Sequence, residues 1–299
     1  MTDVGGRLTA MSRADFHTHS RHSDGLLSPA ALVETAAANG VTVLALTDHD
    51  TTAGVAEAIA AGRRVGVRVI PGVEISADLP DGSDAHLLGY FPSVDDLAFQ
   101  QQLQVYRDGR RQRGRTMLAK LEALGMPLAW ERVLAIAGEA AVGRPHVAQA
   151  LVERGYVGSI REAFDRFLSN GGPASADREK LAPAEAIRLI RRSGGVAALA
   201  HPFFLPDAES AIRTLVPAGL QGLEVYYKNA TAEEVARFAA MAAAHGLVVS
   251  GGSDYHGIHD DEVGPGRFPF PDEASGRFLT YLEAQWAAAT RGPAEGTRP

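Results

Sequence analysis

Short apolar segments rich in branched side chains alternate with helix-like segments in the first and last parts of the chain. The segment 41–46 (VTVLAL) is typical of a buried strand. The residues before it predict a helix that is capped by Ser28, carries Pro29 in its first turn and ends before Gly40. A repeated strand-then-helix order indicates a parallel sheet with helices on its outside. About seven predicted strands favour one closed or nearly closed βα barrel over two separate sheets.

Strand-like segments almost disappear between residues 94 and 181. The segment 95–124 predicts one long helix, with a break expected, if anywhere, near one of its two glycines. Shorter helices are predicted over residues 130–136, 145–153 and 160–168. We therefore divide the chain into a barrel formed by residues 1–93 and 182–299 and a mostly helical insertion, residues 94–181, that covers the active site.

Composition excludes several classes of site. The 299 residues include no cysteine, which rules out disulfides, thiolate zinc sites, iron–sulfur clusters and cysteine catalysis. A net charge of -7 argues against a globally basic surface for nucleic acid, but it allows a small anionic substrate at a local cationic centre. No apolar stretch approaches the roughly 18–20 residues of a membrane helix, and the N-terminus lacks a secretion signal. We therefore expect a cytoplasmic protein with no membrane contact and no obligate protein partner.

Histidines and carboxylates recur at the ends of the predicted strands. His17 and His19 follow the first strand, and residues i and i+2 of an extended segment point to the same side, so both rings can reach one metal. Asp254 and His256 form a second such pair after a later strand. Most of the others also end strands, which is where barrel active sites are built, although His86 opens its strand. The candidate ligands are His17, His19, Asp24, His49, Glu74, His86, His201, Asp254 and His256.

This set contains six of the chain's 10 histidines and three carboxylates. A catalytic metal usually takes about three protein ligands and keeps one open position, so nine ligands fit three metals, with a carboxylate such as Glu74 bridging. Nitrogen and oxygen ligands without thiolate favour Zn, Mn or Fe. Any one of these histidines, taken alone, is at least as often a core or surface residue as a metal ligand. Six of them at strand ends predict a centre of two or three divalent metal ions.

These residues lie in six motifs, which read DFHTHSRHSDG, LALTDHDTTAG, PGVEIS, HLLGYF, LAHP and GGSDYHG. Over residues 14–91 and 196–257 the chain thereby resembles the polymerase-and-histidinol-phosphatase (PHP) family of metallophosphoesterases. The segment 143–146 (GRPH) resembles one bacterial branch, which acts on nucleoside 3′,5′-bisphosphates and on the 5′ ends of short RNA. The resemblance implies an α/β fold, a distorted (β/α)7 barrel, with two or three metals.

The resemblance also implies how the ligands divide among three metals. The first would be held by His17, His19, Glu74 and Asp254. The second would be held by Glu74, His86 and His201, and the third by Asp24, His49 and His256. Since bound metals lower the pKa of water to about 7, we expect a metal-bridging hydroxide to hydrolyse a phosphate ester of a nucleotide. No motif position is substituted, so we expect an active enzyme.

Four residues outside the ligand set are candidate substrate contacts. Arg144 can bind a phosphate with two hydrogen bonds, and His146 can donate to a phosphate or leaving-group oxygen, so both are also candidate catalytic residues. Tyr226, Tyr227 and Lys228 end a strand on the expected active face, and of these Tyr226 and Lys228 are the candidates that could stack on a base or bind a second phosphate. Packing into the core is the alternative for a tyrosine at this place.

Two acidic residues and one basic run complete the candidates. Asp15 and Asp48 flank the expected ligands and are predicted to orient histidines from behind. The run Arg107 to Arg115 could guide an RNA end to the site. A solvated helix face is the interpretation that we favour for this run.

Three other interpretations of the site stay open. An amidohydrolase also opens with H-x-H, but it usually adds a bridging lysine and a lone late aspartate, and it would leave Asp24 and His49 unexplained. A histidinol-phosphate-type phosphatase or another small-molecule phosphatase belongs to the same superfamily, and the long insertion favours a larger substrate. A non-catalytic metal-binding module is disfavoured by the complete ligand set.

Overall fold

The structure is a computed structural model that describes residues 12–138, 140, 142–169, 171–176, 182–258 and 262–290. Seven strands in these residues form one sheet, in which each strand lies beside its neighbours in sequence. The strands are β1 (Ala14–Asp15), β2 (Val43–Leu46), β3 (Arg68–Asp78), β4 (Asp84–Tyr90), β5 (Val196–Leu199), β6 (Gly222–Tyr227) and β7 (Val248–Gly252).

The sheet curls into a nearly closed barrel. Pairing is parallel except at β4, which runs antiparallel to both β3 and β5. The first and last strands meet at the remaining seam, where the amide N–H of Phe16 donates to the carbonyl oxygen of Gly251 at 3.1 Å. The α/β barrel predicted from the alternation of strands and helices is therefore confirmed, and the reversed β4 is its distortion.

The reversed direction of β4 explains the position of His86. Because this strand runs antiparallel, its first residues lie at the end of the barrel where its parallel neighbours finish. His86 pairs with Ser76, near the end of β3. A histidine that opens a strand is thus carried to the same end as histidines that follow strands.

Helices cover the barrel and fill the segment between β4 and β5. In the described residues they are α1 (Pro29–Ala38), α2 (Val55–Val65), α3 (Leu97–Ala123), α4 (Trp130–Ala137), α5 (Arg144–Glu153), α6 (Ile160–Ala163), α7 (Pro183–Arg192), α8 (Ala208–Leu215), α9 (Ala232–Ala244) and α10 (Asp272–Thr290). A π-helical turn, Phe164–Leu168, continues α6. None of the helices in the described ranges combines the length and the apolar character needed to cross a membrane.

Local sequence accounts for several of these bounds. Ser28 caps α1 by accepting a hydrogen bond from the N–H of Ala31, with Pro29 in the first turn. The long helix α3 runs without a break for 27 residues. Its Gly114 is needed for packing, because a Cβ there would lie 3.0 Å from the ring of Trp130. Close approach of α3 to α4 therefore depends on this glycine.

The apolar core is divided between the barrel and the helices that follow β4. The second half of α3, α4 and α5 share a cluster that includes Met117, Leu121, Val133 and Leu151. At the opposite end of the barrel, α10 places Phe278 against the ring of Phe16, with centroids 4.8 Å apart. The separate cluster of α3, α4 and α5 is what the proposed division into a barrel and a helical insertion requires. Residues 177–181, at the predicted end of the insertion, lie outside the described residues.

Candidate metal centre

The first group of side chains at the carboxyl ends of the strands has nearly tetrahedral spacing. Its ligand atoms are His17 Nε2, His19 Nε2, Glu74 Oε2 and Asp254 Oδ1. Five of the six distances between these atoms lie between 3.1 and 3.3 Å. A tetrahedron with metal–ligand distances of about 2.0–2.1 Å has edges of about 3.3–3.4 Å. The group therefore fits one divalent ion.

The carboxylate of Glu74 connects this group to three further histidines. Its Oε1 lies 2.7 Å from Nδ1 of His86 and 3.1 Å from Nε2 of His201. Its Oε2 lies 3.2 Å from Nδ1 of His49. Glu74 is 1% exposed, so these imidazoles surround a carboxylate that is shielded from bulk water. Such a shared carboxylate is suited to bridging two metal ions.

A third group surrounds Asp24. Its Oδ1 lies 3.3 Å from Nε2 of His256 and 3.8 Å from Nδ1 of His19, and its Oδ2 lies 3.7 Å from Nε2 of His49. The buried atoms Asp24 Oδ1 and His49 Nδ1 have these polar neighbours, but no group in the described part of the chain is oriented to form a hydrogen bond with either atom. Buried polar atoms normally have partners, so their arrangement fits a cation at this position.

All nine predicted ligands thus lie together at one end of the barrel. The grouping by distance resembles the implied division, with three differences. His19 faces both the first and the third group, and His49 lies with Glu74 and His86 as well as with Asp24. His201 belongs to none of the groups, although its Nε2 lies 3.1 Å from Oε1 of Glu74. These clusters could hold metals, and the assignment of each ligand to a metal stays a prediction.

The backbone is strained where it delivers these side chains. Asp50, His201 and Asp254 have φ angles of 52°, 25° and 48°, and in the described residues they are the non-glycine residues with positive φ. Such conformations cost of order 1–3 kcal/mol each and persist where the surroundings hold them. Two of the three are predicted ligands, which ties the strain to the site.

Glu224 is a site residue that the sequence analysis missed. It lies on β6 and is 0% exposed. Its carboxylate oxygens lie 3.1 and 3.3 Å from Nδ1 of His17, and its Oε2 accepts a hydrogen bond from the backbone N–H of His201 at 2.7 Å. A single carboxylate inside the apolar strand GLEVYY was the available signal.

Of the two neighbouring tyrosines, the structure brings Tyr227 to the site rather than the predicted Tyr226. The ring of Tyr226 packs against Phe270, with centroids 5.1 Å apart, while Tyr227 donates a hydrogen bond to Oδ2 of Asp254 at 2.7 Å. The cause is an irregularity in the pairing of β6 with β7 between Glu224 and Tyr226, which changes the alternation of side chains. Tyr226 is therefore a partly buried residue that packs against the core, the alternative that the sequence had left open.

Lys228 lies where the sequence predicted, but it contacts protein groups. Its Nζ donates to the backbone carbonyl of Asp254 at 2.7 Å and lies 3.5 Å from Oε1 of Glu262. Since both partners belong to the loop that follows β7, the lysine holds this loop in place.

The two acidic residues predicted to orient histidines act indirectly. Asp15 accepts hydrogen bonds from the backbone N–H groups of Ser253 and Gly266 at 2.9 Å each, and it reaches only the backbone of His17. Asp48 accepts hydrogen bonds from the backbone and hydroxyl of Ser20 and from the hydroxyl of Ser23.

Only one of these contacts leads on to an imidazole. The Ser23 hydroxyl, which is bonded to Asp48, lies 3.3 Å from Nδ1 of His19. Asp15 and Asp48 therefore hold loops in place rather than orienting imidazoles directly, which is what the sequence had predicted. Asp48 reaches His19 only through the hydroxyl of Ser23. The carboxylate of Asp48 is bonded to residues 20 and 23, so the Ser23 hydroxyl lies between this carboxylate and the ring of His19.

The arginine run on α3 is not one solvated face. Arg110 is 8% exposed, its guanidinium pairs with Oδ2 of Asp50, and it donates to the hydroxyl of Ser76 at 2.7 Å. Arg113 is half-buried and Arg111 is exposed. The favoured interpretation of this run is therefore wrong for Arg110, because that face of α3 packs onto the mouth of the barrel.

The two candidate catalytic residues of α5 have clear contacts. Nη2 of Arg144 lies 3.4 Å from Oδ2 of Asp84, and its guanidinium stands 5.8 Å from the ring centre of Phe164. Nδ1 of His146 accepts a hydrogen bond from the N–H of Gly143 at 2.9 Å. Burial, opposed by the charge of Asp24 and reinforced by that of Arg110, lowers the pKa of His146. Nδ1 is therefore occupied as an acceptor, which leaves Nε2 as the ring nitrogen that could donate to a substrate.

Charge at the site favours cations. Burial by itself lowers the pKa of each imidazole, but hydrogen bonds and charges from Asp254 and Glu74 raise the pKa of His19 to about 10. Despite burial, charges and hydrogen bonds from Glu74 and Asp84 also raise the pKa of His86 to about 9. At His49 burial dominates and lowers the pKa to about 3. The carboxylates thus attract positive charge into a buried space.

These side chains open into a cavity of about 220 Å³, which is also lined by Arg110, Arg113 and Arg144. A cavity of about 640 Å³ adjoins it at Asp24 and Pro145. On the other side lies a cavity of about 380 Å³, which shares with the central one the residues Asp84, His86, Arg144 and His201. The helices after β4 thus supply arginines to a space that the barrel lines with imidazoles and carboxylates.

Fold and site together define a class. A barrel whose strand ends gather imidazoles and carboxylates beside arginines is suited to a metal-dependent enzyme that acts on an anionic substrate. The family model described as the PHP domain matches residues 15–170. The chain belongs to the PHP family.

Two curated relatives and one solved structure are similar to the chain over most of its length. It is 35% identical over 251 residues to the 3′,5′-nucleoside bisphosphate phosphatase of Chromobacterium violaceum, covering 82% of this chain and 88% of the relative. It is 37% identical over 246 residues to the 5′-3′ exoribonuclease of Haemophilus influenzae, covering 81% and 89%. A crystal structure of a candidate metal-dependent phosphoesterase from Bifidobacterium adolescentis superposes with a TM-score of 0.82 at 29% identity, covering 93% and 98%.

The comparisons decide between the enzyme classes that the sequence left open. The chain is a metal-dependent phosphoester hydrolase of the PHP type. The family and the names of the curated relatives favour this class over the amidohydrolase interpretation and the non-catalytic module. One solved structure from Chromobacterium violaceum, which superposes with a TM-score of 0.82 at 33% identity and covers 92% of this chain and 97% of its own, is described as an amidohydrolase. The relatives are named for different substrates at similar identity, so the substrate is a separate question.

Proposed function

We propose that this chain hydrolyses the 3′-phosphate of nucleoside 3′,5′-bisphosphates. One observation carries the proposal. Arg110, Arg113 and Arg144 line the same cavity as the predicted metal ligands. The site therefore offers positive charge in two places, at the cations that the ligand groups would hold and at the arginines.

A substrate with two phosphates matches this division of charge. Each phosphate monoester carries a charge of about −1.5 to −2 at neutral pH. One phosphate would lie at the ligand groups and the other at the guanidinium groups, which bind phosphate oxygens through paired N–H donors. Arg110 is already oriented by Asp50 and Ser76, so little side-chain freedom is lost when an anion binds. A substrate with an amine, such as histidinol phosphate, would be repelled by the arginines.

The three ligand groups would hold two or three divalent ions, of Mn, Fe or Zn. Bound ions supply a water of lowered pKa and offset the charge on the phosphate that is attacked. Glu74 presents one oxygen to each of two sets of histidines. Glu224 would accept a hydrogen bond from the protonated Nδ1 of His17, which leaves Nε2 of that ring as the ligand atom. Arg144 would bind the second phosphate and orient the ester.

The 5′ end of short RNA is a second candidate substrate. On α3 the arginines continue from the cavity to the open surface, where Arg111 and Arg115 are exposed beyond the buried Arg110. A track of positive charge binds a phosphate backbone with strong dependence on salt. Cleavage of 5′-phosphorylated RNA whose KM does not change with salt would contradict this track.

Phosphate release from adenosine 3′,5′-bisphosphate in Mn²⁺, with the product identified, tests the proposal. We expect AMP as the product, and in heavy-oxygen water we expect the label in inorganic phosphate. Arg144→Ala should raise the KM about tenfold or more, since a charged hydrogen-bond donor is lost. Arg161→Ala, at an arginine whose side chain is 88% exposed, is the matched control and should leave the KM unchanged. Hydrolysis of histidinol phosphate without attack on the bisphosphate would reject the proposal.

A further inference from the structure

Phe204 is an exposed aromatic residue beside the metal centre. All 11 phenylalanines lie in the described residues, and Phe204 alone among them is exposed, at 67%. Its ring centre lies 5.5 Å from that of His201 and 5.7 Å from that of Tyr227. An apolar ring left in water next to a site of this polarity offers a surface to a planar group of the substrate.

The backbone holds this ring firmly. Phe204 ends a short 3₁₀ helix, Pro202–Phe204, and its N–H donates to the carbonyl oxygen of His201 at 3.2 Å. The preceding Phe203 turns inward, with its ring centre 4.6 Å from that of Phe238. Phe204 is therefore presented outward from an anchored turn, so little order has to be created when a ligand stacks on it.

The cavity beside Phe204 is closely connected to the reacting groups. This cavity of about 380 Å³ shares His86 and His201 with the central one, as well as Arg144. The larger cavity meets the central one only at Asp24 and Pro145, through the described residues that line both. A ligand whose phosphate lies at the histidines can thus place a neighbouring ring against Phe204.

We propose that Phe204 is the stacking platform for the nucleobase of the substrate, whose reacting phosphate lies at His86 and His201 and whose second phosphate lies at Arg144. The inference rests on the proposed function, because it assumes a nucleotide substrate. Stacking on an aromatic ring tolerates all four bases, since each has a π face, so purines bind at least as well as pyrimidines here. Phe204 thereby sets the preference for nucleotides over phosphate esters without a base.

A comparison of two substrates isolates the base. Adenosine 3′,5′-bisphosphate is compared with its abasic analogue, in which hydrogen replaces adenine. For the unmodified enzyme we expect a KM about tenfold higher for the abasic analogue, within the range reported for loss of one stacked base. Phe204→Ala should raise the KM for the adenosine compound by the same factor and leave that for the abasic analogue unchanged. Phe204→Trp should restore the lower KM.

Leu26→Ala is the matched control, because Leu26 is 65% exposed and lines the larger cavity instead. It should change neither KM. A higher KM for the adenosine compound in this variant, with none in Phe204→Ala, would place the base in the larger cavity and overturn the inference. Equal increases for both substrates in Phe204→Ala would also overturn it, since the ring would then act on the site itself.

Binding of AMP, measured by calorimetry in Mn²⁺, separates this inference from the proposed function. If the unmodified enzyme releases no phosphate from the bisphosphate, yet Phe204→Ala weakens AMP binding about tenfold and Leu26→Ala does not, stacking is supported and only the proposed reaction is rejected. If AMP binds equally well to all three proteins, the stacking platform is rejected, whatever the turnover.

Discussion

Both carboxylate oxygens of Glu224 lie within hydrogen-bonding distance of Nδ1 of His17, at 3.1 and 3.3 Å, and both residues are 0% exposed. A carboxylate behind a ligating imidazole fixes which nitrogen carries the proton and how the ring is turned. Nε2 of His17 is thereby left to face Glu74 and Asp254. One restraint on the first ligand group thus comes from a residue outside it.

Glu224→Ala should lower the affinity for the divalent ion about 10–100-fold, because His17 loses its orienting partner. Competition with a chelator of known affinity measures this directly, without turnover. Glu224→Gln keeps an oxygen that can accept from Nδ1, and it should lose less affinity than the alanine variant. Equal metal affinity in the parent and in Glu224→Ala, both folded by circular dichroism, would contradict the role of Glu224.

Replacing Arg110 should be costly for stability, because its partner is buried too. Asp50 is 0% exposed and pairs with the guanidinium of Arg110. Arg110→Ala leaves that carboxylate without its counter-charge, and breaking buried pairs in this way costs about 3–5 kcal/mol. Urea unfolding measures the loss.

The neighbouring arginine supplies the control for this prediction. Arg111→Ala, at an exposed position on the same helix, should stay within about 0.5 kcal/mol of the parent protein. Similar free energies of unfolding for the two variants would show that the pair of Arg110 and Asp50 adds little to stability.

The sequence predicted the centre well because chain direction alone brings its residues together. In a parallel barrel every strand delivers its last residues to the same end, so His49, His201 and Asp254 meet without further information. The position of His86 also follows from this rule once β4 is known to run antiparallel to its neighbours. The bounds of α1 were equally local, since Ser28, Pro29 and Gly40 mark its ends.

What the sequence missed depends on packing between distant segments. The difference between Tyr226 and Tyr227 comes from an irregularity in strand pairing that no periodicity reveals. The burial of Arg110 depends on which face of α3 packs against the barrel, and a run of arginines in the sequence does not indicate that face. Glu224 was hidden because a carboxylate in a strand indicates a site only once its partner, 207 residues away, is in contact.

Metal binding should release protons at neutral pH. Although burial opposes it, the charges of Glu224, Glu74 and Asp254 raise the pKa of His17 well above its usual value. The pKa of His19 is raised to about 10 and that of His86 to about 9, so all three imidazoles carry a proton at pH 7 that a bound cation displaces. The pKa of His49, lowered to about 3, means that this ring has no proton to release. Apparent metal affinity should therefore rise with pH from 6 toward about 9.

Calorimetry in two buffers tests this release. The heat of Mn²⁺ binding at pH 7 in PIPES and in Tris should differ by the difference between the buffers' heats of protonation multiplied by the number of protons released, which we expect to be about three. His86→Gln should lower that number by about one, since it removes one of the protonated rings. Heats that are equal in both buffers would show that the site binds metal without displacing protons.

Gly252 should tolerate no side chain, because β7 passes too close to the first ligand. A Cβ at Gly252 would lie 2.1 Å from Cβ and 2.7 Å from the backbone nitrogen of His17. Gly252→Ala must therefore move His17 away from Glu74, and we expect weaker metal binding together with a loss of about 1–3 kcal/mol in the free energy of unfolding. Gly276→Ala is the matched control, since a Cβ there meets nothing within 4 Å and alanine favours the interior of α10 by up to about 1 kcal/mol. If Gly252→Ala keeps both the metal affinity and the unfolding free energy of the parent, then β7 can shift without disturbing His17, and the ligand geometry does not depend on this contact.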